Sequence, residues 1–398
     1  MNSDEQLTAP APAPRRVELT RVTVQINHRL THELYETLRE LNVGGYYVEQ
    51  SRMVLLHERK RRSRMFVTTI SLDDSPAERV SFCVGADHAA RIAAVLSTRF
   101  RFHLGGRGTL RQEVVQSYVS SESSGASTGE ATGDEGHTEG SGRTPAGLPG
   151  FRRGLTGITF ILSSSTTGNL VAKTALELGV CVPYISLGVG TGVRDRLGLL
   201  RITIPADKEI VELVAPDHDA EGILNLIVQE CKLDQPGRGF AYLYPVSEAT
   251  LSPRLRIGRQ EHAASVEQII HAIDELRGET QWRTRYAAPT HRDRAVRLRR
   301  DQREISITCS ENRTDDFVAT AVRLGVGGAT TARVRALGAD TQTTPGAIVA
   351  QERTTMVVPE GLVGTIVQGL SADGLFAPES SGRIDVAEVR GAYSYPGR

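Results

Sequence analysis

Two short glycine motifs carry the residues of this sequence that are best suited to bind an anion. They are Gly190-Thr191-Gly192 and Gly237-Arg238-Gly239. Glycine turns of this kind present successive backbone N–H groups to an anion. An adjacent arginine can pair with two phosphate oxygens at once. Glycine turns are common, but two such motifs in one stretch of chain are compatible with phosphate binding there.

The sequence contains none of the common catalytic motifs that we searched for. The sequence contains no Gly-x-x-x-x-Gly-Lys-Ser/Thr, no Gly-x-Ser-x-Gly and no His-Glu-x-x-His. Asp87-His88 and Asp217-His218 recur at equivalent places, where a metal or acid–base role is conceivable, but a helix cap explains both. We therefore predict a protein that is not an enzyme. The remaining alternative is an enzyme whose site carries no recognisable motif.

Composition excludes several classes of protein. The chain has 398 residues, with 47 Lys+Arg and 47 Asp+Glu, so its net charge is zero, whereas dedicated nucleic-acid binders carry a basic excess. No apolar run approaches the roughly 20 residues of a membrane span. The four cysteines are far apart and form no Cys-x-x-Cys pair, which is typical of a reduced compartment. These features predict a soluble, cytoplasmic protein that is not inserted in a membrane.

Two segments lack the apolar residues of a core and divide the chain. Residues 120–150 are rich in Ser, Gly and Glu and predict a flexible linker. Residues 283–302 are rich in arginine; they predict a solvated linker, with binding of phosphate or of an acidic partner as the alternative. With a disordered tail at 1–15, the predicted units are 16–119, 151–282 and 303–398.

The three units share an order of patterns. Each begins with an alternating apolar run typical of a strand, and a segment with apolar residues at i, i+4 and i+7 follows, which is typical of a helix packed on a sheet. The strand runs are Val22–Ile26, Ile158–Leu162 and Ile305–Thr308, and the helix positions are Leu34, Leu38 and Leu41; Val171, Ala175 and Leu178; and Phe317, Ala321 and Leu324.

Two further residue patterns recur in the second half of each unit. A third strand ends before an acidic residue that begins a second helix, and a Gly-Arg phrase then precedes a last strand: Gly106-Arg107, Gly237-Arg238 and Gly382-Arg383. The predicted order is βαββαβ, the ferredoxin-like unit. We therefore predict an α+β protein of three tandem ferredoxin-like copies, which could assemble as an intramolecular pseudo-trimer.

The second unit resembles the nitrogen regulatory protein PII family. The resemblance rests on Leu178-Gly179-Val180, on Gly190-Thr191-Gly192, on the run from Gly237 to Val246 that ends in Pro-Val, and on Arg254-Leu255-Arg256. It covers about 110 residues of that unit, and the first and third units only in outline. It implies ferredoxin-like trimers that bind ATP or ADP in clefts between units, with Mg and 2-oxoglutarate as further candidate ligands.

The resemblance also implies site residues. Those for phosphate would be Gly190, Gly192, Arg194, Gly237, Arg238 and Gly239, with Arg254 and Arg256 reaching across an interface and Arg383 in the third unit. Phe240 departs from the family, which has a phosphate-binding lysine there. The segment from Val193 to Lys208 would be the loop that contacts a partner.

These observations predict a signalling protein of the PII-like kind. It would report nitrogen, carbon or energy status by binding adenine nucleotide and would regulate a partner enzyme or transporter. The alternative is a ligand-free scaffold that acts only as an interaction protein. A monomeric pseudo-trimer and a homotrimer both remain open.

Overall fold

The computed structural model describes most of the chain. It covers residues 14–60, 68–121, 150–163, 167–192, 207–251, 255–256, 296–338 and 349–395. The predicted tail (1–15), the linker (120–150), the partner loop (193–208) and the arginine-rich segment (283–302) therefore fall wholly or mostly outside the described residues.

Strands and helices follow one another in three segments. The first segment contains β1 (Arg15–Asn27), α1 (Thr31–Glu40), β2 (Gly45–Lys60), β3 (Thr68–Val84), α2 (Ala86–Phe100) and β4 (Gly108–Val119). The second contains β5 (Phe151–Arg152), β6 (Leu155–Leu162), α3 (Thr167–Glu177), β7 (Tyr184–Gly192), β8 (Asp207–Pro216), α4 (Asp217–Glu230), β9 (Gly239–Val246), β10 (Glu248–Thr250) and β11 (Leu255–Arg256). The third contains β12 (Gln302–Ser310), α5 (Thr314–Arg323), β13 (Gly328–Gly338), β14 (Val349–Pro359), α6 (Val363–Ala372), β15 (Arg383–Val389) and β16 (Gly391–Ser394).

The sixteen strands of the described ranges belong to one continuous sheet. Nine of them close into an antiparallel barrel in the order β2-β3-β1-β4-β15-β12-β14-β13-β7, with β7 pairing back onto β2. Strands β8, β6, β9 and β16 continue the sheet from β7. A closed sheet leaves no unpaired edge along the barrel.

The two faces of the sheet have different chemistry. In β1, Val22, Val24 and Ile26 are buried in one apolar cluster with Leu34 of α1 and Leu96 of α2. The residues that alternate with them face the barrel interior, because side chains of a strand point to opposite faces. Similar clusters lie under α3 and α4 and under α5 and α6. The apolar cores therefore lie between helices and sheet, and the barrel interior is left to other residues.

The predicted architecture was wrong. The three alternating runs are strands β1, β6 and β12, but the segments are not three small ferredoxin-like units, since their strands form one sheet with a closed nine-strand barrel. The same sheet architecture is inconsistent with tandem ferredoxin-like repeats of the PII kind, so that prediction was also wrong. Periodicity reports which residues face a helix. It carries no information on which strand of another segment an edge strand pairs with, and here β2, β7 and β13 all pair with one another.

The described residues contain neither a candidate membrane span nor a metal-binding cluster. None of the helices in these ranges is both long and apolar enough to cross a bilayer. Within the same ranges, no cluster of three or more His, Cys, Asp or Glu residues is placed to hold a metal ion.

Candidate functional site

One end of the sheet in the second segment brings the two glycine motifs to the same side of the molecule. The strands lie there in the order β7, β8, β6, β9. Gly190 lies near the end of β7, Lys208 near the start of β8, Ser163 just after β6 and Arg238 just before β9. Because neighbouring strands are about 4.8 Å apart, Gly190 and Arg238 are separated by about 14 Å. Lys208 and Ser163 lie between them.

Lys208 connects the two motifs. A Cβ atom at Gly190 would overlap Cε of Lys208, so the glycine leaves room for the lysine stem. The Lys208 ammonium donates to Ser163 Oγ at 3.1 Å. The Ser163 backbone N–H in turn donates to the Arg238 carbonyl at 3.1 Å. An ammonium group is therefore held in place between the glycine strand end and the Gly-Arg-Gly turn.

The Gly-Arg-Gly turn needs both of its glycines. Gly237 has φ +73°, a left-handed conformation that favours glycine. A Cβ at Gly239 would lie 2.8 Å from the Ile161 carbonyl oxygen of the neighbouring strand. The turn leaves the Arg238 side chain exposed, with its Nε donating to Gln235 Oε1 at 3.3 Å. A guanidinium on the surface, beside a fixed turn, is accessible to an anion in solution.

Gly192 is the last residue of β7 and lies at this end of the sheet with Gly190; its backbone pairs with Gly328 of β13. No described contact brings the remaining predicted site residues there. Arg194 and Arg254 lie outside the described residues. Arg256 belongs to β11, which pairs with β2 of the first segment.

Arg383 has a different environment from Arg238. It is 9% exposed and donates to Asp385 Oδ1 at 2.8 Å and to Ser117 Oγ at 2.8 Å. Its guanidinium is thus engaged within the protein. Of the two arginines predicted to bind phosphate from a Gly-Arg phrase, only Arg238 presents its side chain to solvent.

Sequence reasoning did not assign Lys208 to this site, and it favoured a helix cap over anion binding for the hydroxyl run that includes Ser163. By sequence pattern alone, Lys208 ends the predicted partner loop, and Ser163 belongs to a run of hydroxyl residues suited to cap the next helix. The structure instead places Lys208 in β8. The sequence did contain one signal for Lys208. Lysine is scarce in this chain, which has only Lys60, Lys173, Lys208 and Lys232, so each ammonium group is a candidate for a specific role.

The barrel interior holds a second group of polar residues. Arg111, 2% exposed, donates to Glu113 at 2.9 Å and to Glu212 at 2.6 Å. Arg21 donates to Glu113 at 2.5 Å and to Glu304 at 2.9 Å. These pairs come from all three segments, so ion pairs connect the segments across the interior.

Burial and the arginines act in opposite directions on these carboxyl groups. Burial alone would raise the pKa of Glu113, but Arg21 and Arg111 hold it below its ordinary value. The pKa of Glu212 is likewise lowered, because Arg111 and Arg79 outweigh burial. At Glu49 burial prevails over Arg79, and the pKa is raised.

We expect the lowered pKa values to make the fold sensitive to acid. A carboxyl group whose pKa is depressed by folding stabilises the protein above its unfolded pKa, about 4.3, and that contribution is lost as pH falls through the folded value. Glu49 acts in the opposite direction, since its raised pKa favours the folded state at low pH. Because Glu113 and Glu212 outnumber Glu49, we expect the free energy of unfolding to decrease below about pH 5. The thermal midpoint measured as a function of pH tests this. A Glu113→Gln variant should show a shallower acid limb, and an unchanged limb would contradict this.

Comparison with known proteins adds no identification. No family model matches the chain, and no curated protein matches it. The resemblance of the second unit to the PII family stays a prediction.

Proposed function

We propose that the chain is a non-catalytic binding protein that takes a phosphate-bearing small molecule at the end of the second segment's sheet, and that it regulates a partner protein in response. The observation that carries the proposal is the Lys208 ammonium held 3.1 Å from Ser163 Oγ, between Gly190 and the exposed Arg238. ATP and ADP are the ligands to test first. The proposed location is the cytoplasm, where both nucleotides are abundant.

Charge at the site supports a phosphate ligand. Lys208 and Arg238 both carry positive charge at this end of the sheet, and hydrogen bonds from such groups to phosphate are about twice as strong as neutral ones. Lys208 also answers a difficulty raised by the sequence, because Phe240 stands where the resemblance expects a lysine. The ammonium group is supplied from β8 instead.

Phe240 supports a ligand that carries an aromatic base. Its side chain is half-buried and lies beside Tyr242, with ring centroids 5.9 Å apart. It follows directly after the Gly-Arg-Gly turn. A half-buried aromatic ring beside a phosphate site suits stacking with a purine.

Calorimetric titration with ATP and with ADP tests the proposal. We expect Lys208→Ala and Arg238→Ala each to weaken binding about 10- to 100-fold, the effect of losing a charge-assisted hydrogen bond. Lys173→Ala is the matched control: Lys173 lies on α3, is about half exposed and pairs only at 3.7 Å with Glu177. It should bind as the wild type does. If neither nucleotide binds at millimolar concentration with magnesium, the nucleotide is excluded as the ligand.

Exposed apolar residues favour one alternative, an interaction protein without a ligand. Leu187 is 69% exposed and Val189 is 50% exposed, both on β7 next to Gly190. Two such side chains on one strand form a small apolar surface for a partner. In this case Lys208→Ala would leave the binding of that partner unchanged, whereas the proposed sensor would lose its dependence on ligand.

A further inference from the structure

The barrel interior contains a cavity separate from the proposed phosphate site. Its volume is about 40 Å³, and a single water needs about 10–15 Å³ by this measure. Side chains of all three segments line it, among them Arg21, Arg79, Arg111, Arg353 and Tyr244. A cavity of this size admits a few waters or one monatomic ion, and the groups around it decide between them.

The carboxylate oxygens around the cavity already have donors. Glu113 accepts from Arg21 and Arg111, one on each oxygen. Glu304 accepts from Arg21 and from the Tyr242 hydroxyl, at 2.9 Å in both cases. Glu212 accepts from Arg111 at 2.6 Å and from Gln25 at 2.5 Å. All six oxygens are therefore occupied.

Among the residues that line the cavity, the buried groups left without a partner are donors. Arg21 Nε, Arg79 Nε and the Tyr244 hydroxyl are buried and make no hydrogen bond within the described parts of the chain. Arg79 Nε does lie 3.4 Å from Glu212 Oε2, but the angle is not that of a hydrogen bond. Tyr244 and Arg21 are more than nine-tenths buried. A buried N–H or O–H without an acceptor is costly, so the cavity is suited to a hydrogen-bond acceptor.

Charge distinguishes an anion from water. Four guanidinium groups line the cavity against three carboxylates, Glu113, Glu212 and Glu304. The nearby carboxylate of Glu49 binds Arg353 and Arg79 from outside this lining. Glu49 Oε1 makes no hydrogen bond among the described residues, but Glu49 is not part of the cavity lining. The lining itself therefore carries one more guanidinium than carboxylates, and this excess of positive charge favours an anion.

We propose that this cavity binds one monatomic anion of the chloride class, held by Arg21 Nε, Arg79 Nε and the Tyr244 hydroxyl. This inference is independent of the nucleotide proposal, because it concerns other residues and another ligand. The ion would act as a structural part of the barrel and compensate the arginines that connect the three segments.

Thermal unfolding of the full chain tests the proposal. Chloride is varied against gluconate at constant ionic strength, so that screening does not change. Chloride at a hundred times its dissociation constant, compared with no chloride, should raise the unfolding midpoint by about 3 °C for a chain of this length. A midpoint that does not respond to chloride would overturn the proposal, with water then occupying the cavity.

Tyr244→Phe separates a bound anion from a general salt effect. If the hydroxyl binds the ion, this variant should lose most of the chloride response. If the hydroxyl has no ligand, the variant should keep the wild-type response and be as stable or more stable, because an unpartnered hydroxyl has been removed. Arg99→Ala is the control, since Arg99 pairs with Glu33 and Glu40 on the surface. Bromide in place of chloride gives a direct check: an anomalous scattering peak beside Tyr244 supports the site, and its absence at full bromide substitution contradicts it.

Discussion

Replacement of Arg111 by methionine is expected to destabilise the protein by about 3–5 kcal/mol, the cost of leaving buried partner charges uncompensated. The guanidinium donates to Glu113, Glu212 and Gln25 at 2.6–3.1 Å and lies over the Tyr244 ring. Methionine retains length and apolar character but donates nothing. Glu212 would lose its closest cationic partner in the barrel interior. The midpoint of chemical unfolding measures the effect.

A surface arginine provides the matched control for Arg111. Arg99 also contacts two carboxylates, at 3.2 and 2.7 Å, but all three groups are exposed. Solvent screens such pairs, so Arg99→Met should leave the midpoint unchanged within error. Adding Glu212→Gln to Arg111→Met should recover part of the loss, since the stranded charge is removed with its partner. Equal midpoints for Arg111→Met and Arg99→Met would contradict the role of the buried network.

Replacement of Gly157 by alanine is expected to destabilise the protein by about 2–3 kcal/mol, toward the upper end for an overpacked core. Gly157 of β6 pairs directly with Tyr244 of β9. A Cβ at Gly157 would overlap the Tyr244 ring, which is 3% exposed and lines the barrel cavity. The ring is therefore forced to move, and neighbours in the interior restrict that movement.

Gly222→Ala is the control for this substitution. Gly222 lies on α4 and is exposed, and a Cβ atom at this position would have open space around it, with no neighbouring atom within 4 Å. Alanine in an exposed helix is favoured over glycine by about 0.5–1 kcal/mol, so this variant should be slightly more stable. A double substitution with Tyr244→Ala identifies the cause at Gly157: the two effects should sum to more than the double variant shows. Strict additivity would exclude the ring as the source of strain.

Local structure was predictable because it depends on local spacing. Val22, Val24 and Ile26 alternate, and Leu34 and Leu38 are a helical turn apart, so the strand and the buried face of the helix follow from the sequence. The same spacing predicts a buried Leu178, but this residue is 40% exposed, because α3 ends at Glu177.

Long-range pairing was not predictable by the same means. Arg111 and Glu113 alternate with Leu110, a pattern that normally gives a strand with one face in water. Here the polar face is buried, because strands of other segments close over it. The resemblance to the PII family implies a phosphate ligand for Arg383, but its partner Ser117 is 266 residues away in the sequence. No spacing rule reveals such a contact.

Closure of the barrel also has a consequence for synthesis on the ribosome. Strand β4 of the first segment pairs with β15, and β9 of the second pairs with β16, near the end of the described chain. Until β15 and β16 have emerged from the ribosome, the first two segments expose unpaired strand edges. The arginines and glutamates of the barrel interior are then exposed as well. Such long-range pairing slows folding and prolongs exposure to aggregation. The late strands thus complete the pairing of the earlier segments. The chain is therefore expected to fold as a whole once these strands are available, and not segment by segment.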